Sequence, residues 1–396
     1  MVVLTYLILL CILIGWIYGL CNKNVTALSF LLIISTVYYP SITNIVDVDF
    51  IIKVLFLITA LYYLKLYGLK KHSFKFFFLA MLLYSISFIN AQWDTNYSYF
   101  DSITAFFSLS LGLILYSVAW PEKMRVRLLK VICKLPFISI ILGLLLSSFG
   151  LLDFIGRNGT GLAGASMATN LSFFGVNGII AAIILRKELN SDIYRGLIYI
   201  NFLITALTLT RGGILAGSIL LIPDFFSFLK NILQKKKYIM ISLISFVSIL
   251  YPLNYIYKNI LERTVVNGQI NTSGRVDAWT SIINLSTNKL LGNGYGFLKT
   301  VTDTSLRAFT AAHNEYIRMY VETGYVGIVI IVLIFWLIFK KIIKENNNII
   351  VYLTILLSFM LYSYTDNTMT NFRFWLPFMI IIGLIDNHKK VLKFKR

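Results

Sequence analysis

Apolar residues run along this chain in blocks of roughly 16–22, separated by short polar clusters. Such blocks read as helices, and a helix needs about 20 apolar residues to cross a hydrocarbon core of about 30 Å. The pattern predicts thirteen spans, near residues 2–20, 25–40, 50–67, 74–90, 101–120, 129–149, 166–185, 194–210, 212–229, 238–255, 316–339, 349–365 and 371–386. The expected fold class is therefore all-α, a polytopic integral membrane protein of about 12–13 transmembrane helices. One long apolar stretch is interrupted at Thr210-Arg211-Gly212-Gly213. Arginine in lipid is costly and glycine permits a sharp turn, so the stretch reads as two helices joined by a tight hairpin. Four regions follow: helices over 1–150, helices with the Arg-Gly hairpin over 151–255, a long loop over 256–315, and helices with a basic tail over 316–396. Within the loop, a helix is expected from about Val276 to Ser286.

Composition sharpens this picture. Hydrophobic residues make up 58% of the chain and charged residues 13%. Soluble domains carry about 25% charged residues, so this chain lacks the polar surface to cover one. The net charge of +19 suggests nucleic acid, but the placement of the cations argues against it. Lys65, Lys70, Lys71 and Lys75 share one gap, Lys123 to Lys134 another, and Arg186, Lys187 and Arg195 a third. The series continues through Lys230 to Lys237, Lys340 to Lys344 and the tail Lys389 to Arg396. Alternate gaps are poor in base and hold Asp47, Asp49, Asp94, Asp101 and Asp153. Basic loops stay cytoplasmic, which puts the N-terminus outside and the C-terminus inside. The first span has no basic residue before it and no small-residue cleavage site after it, so it is expected to remain as a helix. No cysteine falls in an outside loop, and no disulfide is expected.

The cytoplasmic gaps are short, and neither a phosphate-binding glycine loop nor a dinucleotide fingerprint occurs in the chain. His72 and His388 sit beside lysines there and read as solvated bystanders. Arg157, Arg211, Arg275, His313 and Arg318 all fall on the outer face or just inside it. Interfacial arginines can simply snorkel, but the Arg211 hairpin has no length in which to do so. A planar guanidinium suits bidentate binding of phosphate oxygens.

Three segments carry a family resemblance: Thr210-Arg211-Gly212-Gly213 opening a helix; Gly274-Arg275 with Trp279 beyond it, then Leu291-Gly292-Asn293-Gly294-Tyr295-Gly296; and His313-Asn314 followed by Gly324-Tyr325-Val326-Gly327. In this order they resemble the O-antigen ligase/polymerase superfamily, over about residues 200–340. Arg157 to Asn170 is loosely similar to the family's upstream glycine-and-asparagine stretch. The resemblance implies a metal-independent, cofactor-free membrane glycosyltransferase in the bacterial inner membrane, working at the periplasmic face. Its implied partners are undecaprenyl-diphosphate-linked oligosaccharide donor and acceptor, membrane lipid, and polysaccharide-assembly proteins such as a chain-length regulator. Polymerisation of repeat units into O-antigen or capsule is the favoured activity, with ligation to lipid A–core the alternative.

The implied catalytic residues are His313, Arg211 and Arg275. Arginines near lipid stabilise the negative charge developing on a diphosphate leaving group. A sugar hydroxyl acceptor needs a base, and His313 is the one histidine on this face. The competing readings make His313 a hydrogen-bonding partner of the diphosphate, or a helix-start residue that caps or packs. Arg157, Asn170, Trp279, Asn314, Glu315, Arg318 and Glu322 are candidates for substrate contact. Glu315, Arg318 and Glu322 share one helix face and read equally as a structural ion-pair ladder. Trp279 reads first as an interfacial anchor and second as a sugar platform. Asp47-Val48-Asp49 spells a nucleotide-sugar string in a loop without nucleotide supply, and no cluster has metal-ligand spacing. A transporter would show internal repeats and deep charges, of which Asp224 is the clearest, whereas a scaffold leaves the outer arginines unexplained.

Overall fold

The computed structural model describes residues 2–22, 24–43, 46–93, 96–156, 161–234, 265–266, 269–270, 275–301, 312–345, 349–386 and 391–392. Its helices are α1 (Val2–Cys21), α2 (Thr26–Ile34), α3 (Val48–Tyr67), α4 (Phe74–Ile89), α5 (Tyr99–Ser117), α6 (Glu122–Ser148) and α7 (Ala168–Leu189). They continue with α8 (Ile193–Leu207), α9 (Arg211–Gln234), α10 (Arg275–Asn284), α11 (Phe297–Thr300), α12 (Glu315–Glu345), α13 (Ile349–Thr365) and α14 (Phe372–Ile385). Among the described residues the strands are two short antiparallel pairs, β1 (Leu69–Lys70) with β4 (Val391–Leu392) and β2 (Val265–Val266) with β3 (Gln269–Ile270). Among the described residues, seven helices are long and apolar enough to cross a membrane, and α8, α13 and α14 are shorter apolar helices. The chain is a multi-pass, all-α membrane protein.

Twelve of the thirteen expected spans meet a helix, and the span at 238–255 lies outside the described residues. The expected span 25–40 is overlong, because α2 stops at Ile34. There Ser35 and Thr36 donate their hydroxyls to Leu32 O and Ile33 O, and Pro40 sits in a short 3-10 turn. Such side chains compete with the helical ladder, and proline cannot continue it. The hairpin is where the sequence puts it, between the end of α8 at Leu207 and the start of α9 at Arg211.

Burial separates lining from core. The apolar window of α1 is 17% buried and that of α7 is 83% buried. Helices that are apolar all round belong inside a bundle. Every residue of α14 is buried, and this helix packs on α5 and α7, while α7 also meets α6, α8 and α9. Without a hydrophobic drive in lipid, such helices associate through small residues and interhelical hydrogen bonds. Gly175 and Gly178 on α7 admit Thr205 and Asn201 of α8. Asn177 donates to Phe374 O at 3.1 Å, and Tyr362 donates to Ser172 Oγ at 2.8 Å.

One break in α12 organises the loop ahead of it. Gly324 adopts φ 63°, ψ −167°, which interrupts the helical ladder. Residues 288–294 fill the break: Tyr325 N donates to Lys289 O and Val326 N to Leu290 O, while Gly294 N donates to Glu322 O. A Cβ on Gly324 would collide with the Leu290–Leu291 peptide, and one on Gly292 with the Glu322–Thr323 peptide. The glycines in two of the resembling strings therefore form one structural clasp.

At the base-rich end, His72 is not a solvated bystander: Nε2 lies 2.7 Å from Asp386 Oδ2, and Lys341 also meets both groups. Tyr116 donates to Asp386 at 2.6 Å, and buried Lys70 donates to Tyr116 O. Burial alone would raise the Asp386 pKa, but hydrogen bonds from His72, Lys341 and Tyr116, with Lys70 nearby, hold it well below the usual carboxylate range. Sequence spacing hides this group, because His72 and Asp386 are joined across most of the chain length. His388 lies outside the described residues.

Candidate active site

The polar turn from Thr365 to Asn371, between α13 and α14, is where the candidate residues meet. Arg275, the first residue of α10, donates from Nη1 to Thr365 O at 2.9 Å. Gly212 of the hairpin lies directly against Thr365, so close that a Cβ would collide with the threonine side chain. Arg211 precedes it, half-buried, as the first residue of α9. His313 Nδ1 lies 3.3 Å from Asp366 Oδ1. Asn314 N donates to Asn367 Oδ1 at 3.2 Å, and Met369 N donates to Glu315 Oε2 at 3.3 Å. At the turn's far end Asn371 donates to Asn170 Oδ1 at 3.0 Å.

His313 has φ 45°, an uncommon conformation for a residue with a side chain. Such backbone persists where surrounding contacts determine it, and it concentrates at functional sites. The contacts here are specific. Trp279 Nε1 donates to Ala312 O at 2.8 Å and fixes the chain just before His313. Asn314 caps α12 just after it, with Oδ1 accepting from Tyr316 N at 3.0 Å and Ile317 N at 3.2 Å. The capping role thus belongs to Asn314, and the His313 side chain is left 40% exposed beside an Asp366 that is 13% exposed.

Other candidates have different placements. Trp279 acts as a fastener for the His313 segment, with its ring edge-on to Tyr364 at 5.6 Å. Glu315, Arg318 and Glu322 are 0%, 4% and 2% exposed. Arg318 Nε donates to Glu315 at 2.9 Å, and its guanidinium also pairs with Glu322. Glu322 further accepts from the Gly296 and Leu298 amides, which ties α11 to α12. This geometry is that of the ion-pair ladder, committed internally. Below it, burial pushes the Tyr295 hydroxyl up to about 12. Arg157 and Gly274 lie outside the described residues.

Two other sequence features have structural explanations. Asp47 caps α3 by accepting from Phe50 N at 2.9 Å, and Asp49 is gripped by Arg373 at 2.7 and 2.9 Å. Asp224 pairs with Arg186 and accepts from Tyr199 at 2.6 Å, so the deepest acid of α9 is held by neighbouring helices.

Sequence reasoning missed Asp366, Asn367 and Asn371. Their one signal is a run of small polar residues, Thr365-Asp366-Asn367-Thr368-Met369-Thr370-Asn371, between two apolar spans on the predicted outer side. Chemically, the assembly offers an exposed imidazole backed by a carboxylate, with one guanidinium donating to the turn and a second beginning the helix against it.

Residues 196–332 match the family described as O-antigen ligase. The matched segment contains Arg211, Arg275 and His313, and excludes Asn170 and Asp366. It bears out the resemblance to the O-antigen ligase/polymerase superfamily and supports a membrane enzyme of glycosyltransferase type, at a level where ligase and polymerase are one class. No curated protein matches the chain.

Proposed function

We propose that the protein polymerises undecaprenyl-diphosphate-linked oligosaccharide repeat units into O-antigen or capsular polysaccharide at the periplasmic face of the inner membrane. The observation that carries this reading is the convergence of the Arg211 hairpin, Arg275 and His313 on one turn, at Thr365 and Asp366. With Nδ1–H donated to Asp366, the imidazole keeps its lone pair on Nε2 and can accept a proton there. The acceptor hydroxyl gives that proton to His313 as its oxygen bonds to the donor's anomeric carbon. The bond from that carbon to the diphosphate oxygen breaks, and the electron pair leaves with the diphosphate. Arg211 and Arg275 stabilise the charge that develops there, in a site next to lipid where such charge is poorly solvated. His313 and the two arginines are the catalytic residues of this scheme, and Asp366 is a positioning residue.

A specific observation favours the alternative of ligation to lipid A–core, since the matched family is described as O-antigen ligase. The two activities share donor, leaving group and base, and they differ in the acceptor. Deleting the gene and running the surface polysaccharide on a gel separates them. Core bearing a single repeat is the expected result for a polymerase. Bare core with accumulating lipid-linked polymer is the result for a ligase, and an unchanged ladder would sink both.

A further inference from the structure

Lys53 is an unexplained charge. It lies in the second turn of α3, a helix of membrane-spanning length, and it is half-buried. Among the described residues no carboxylate pairs with it, and its ammonium lies 5.3 Å from the centre of the Phe372 ring. Asp49, one turn earlier, is committed to Arg373, and Asp47 caps the helix. A lysine in such a helix is expensive to keep, and unpaired intramembrane charge marks a functional site.

Lys53 lines a cavity of about 430 Å³, a size suited to a small ligand. Phe50 and Phe100 form one wall with ring centres 6.4 Å apart, and Thr104 and Asn367 supply hydroxyl and amide groups. Its wall also includes Ala312, the neighbour of His313, while Asn367 is the neighbour of Asp366. The remaining charged lining is Asp47, Lys299, Arg318 and Glu322, of which the last two are buried and committed to each other. Aromatic faces, hydroxyl and amide groups, and two lysines without an ion pair among the described residues, set one residue away from the proposed base, amount to sugar-binding chemistry with a cation added.

We propose that this cavity is the acceptor subsite, and that Lys53 selects an acceptor sugar carrying a carboxylate. The proposal rests on the transferase reading above. A sugar hydroxyl held at His313 places the adjoining part of the acceptor over Ala312, where its acidic substituent meets the ammonium.

The test uses the full chain in nanodiscs and two oligosaccharides of equal length and linkage, one ending in glucuronic acid and one in glucose. Binding is measured without donor, at fixed pH and low salt. The wild type should favour the acidic probe by about tenfold, the worth of one hydrogen bond to a charged group. Lys53→Gln should bring the ratio close to one, and Lys53→Arg should keep most of it. A wild-type ratio near one overturns the proposal whether or not the glutamine variant folds. So does a preference that survives Lys53→Gln, or displacement of the acidic probe by equimolar inorganic phosphate, which would reassign the cavity to a phosphate group. Working transfer with equal use of both probes would remove the subsite alone. A Lys53-dependent preference in a protein that transfers nothing would instead remove the transferase reading.

Discussion

Two histidine–aspartate pairs mark opposite ends of α12. His313 meets Asp366 just ahead of its first turn, and His72 meets Asp386 near Lys341 in its last turns. By residue type the pairs are alike, yet their surroundings differ. Asp386 is 0% exposed and is reached by His72, Lys341 and Tyr116, with Lys70 3.8 Å away. The His72 ring is only 19% exposed and is flanked edge-on by Phe76 and Tyr116. His313 is 40% exposed, lies 3.3 Å from its carboxylate, and has a left-handed backbone. A fully satisfied polar network rigidifies a fold. A pair with an open side and strained backbone is the kind that does chemistry. Openness, rather than residue identity, separates the candidate site from the closed His72–Asp386 pair.

The sharpest way to break this contrast is at His313. As a positioned base, its loss in His313→Ala should lower turnover by about two to four orders of magnitude. Purified protein with a lipid-linked donor, assayed for turnover and donor affinity, reads the effect. Full turnover of His313→Ala would make the open pair as structural as the closed one.

Next in size are the arginines. Removing a preorganised donor to developing negative charge costs about 10² to 10³ in rate. Arg275→Ala should show a loss of that order while the protein remains in the membrane. Arg211→Lys should also lose most activity, because an ammonium keeps the charge but not the planar, bidentate fork. Wild-type polymer from cells carrying either variant would remove that residue from the site.

The helices and the open pair's histidine were legible in the sequence, whereas both aspartates were not, and the illegible part has a physical reason. Helix spans declare themselves through local apolar runs, so the hairpin at Arg211 and the loop helix α10 fall where expected. Arg211, Arg275 and His313 stand out as costly or chemically apt residues on one face. What pairs with them depends on tertiary contact. Asp366 lies 53 residues from His313, and Asp386 lies 314 from His72. No periodicity spans such distances, and Asp366 sits beyond the segment that matches the family. Burial was equally hidden: a basic gap suggests water, whereas Lys70 is 2% exposed.

Asp366 gives a smaller test from within the open pair. Asp366→Asn keeps the size of the side chain but loses the charge that favours the Nδ1–H tautomer. A hydrogen bond to a charged group is worth about 1.5–3 kcal/mol, or about ten- to a hundredfold in rate. The loss should appear in kcat with donor affinity little changed. An unchanged kcat with weakened donor binding would recast Asp366 as part of the donor pocket.

The smallest effect on turnover should come from Asp386→Asn, at the closed pair. This carboxylate touches nothing in the candidate site, so activity per folded molecule should match the wild type. Stability should not. Removing the charge leaves Lys341 and Lys70 without their buried partner, and breaking such a network costs about 3–5 kcal/mol. The sign of the pH dependence follows from the depressed pKa of Asp386 in the folded protein. Such a group stabilises the fold above its unfolded value of about 3.9, and that contribution is lost as pH falls through the lower folded value. The gap in melting temperature between wild type and variant should therefore be full at neutral pH. It should narrow only as pH drops below about 4. Thermal unfolding in detergent, followed at several pH values alongside turnover, reads both quantities from one preparation. A variant as stable as wild type but slow in transfer would invert the assignment and make the closed end part of the working machinery.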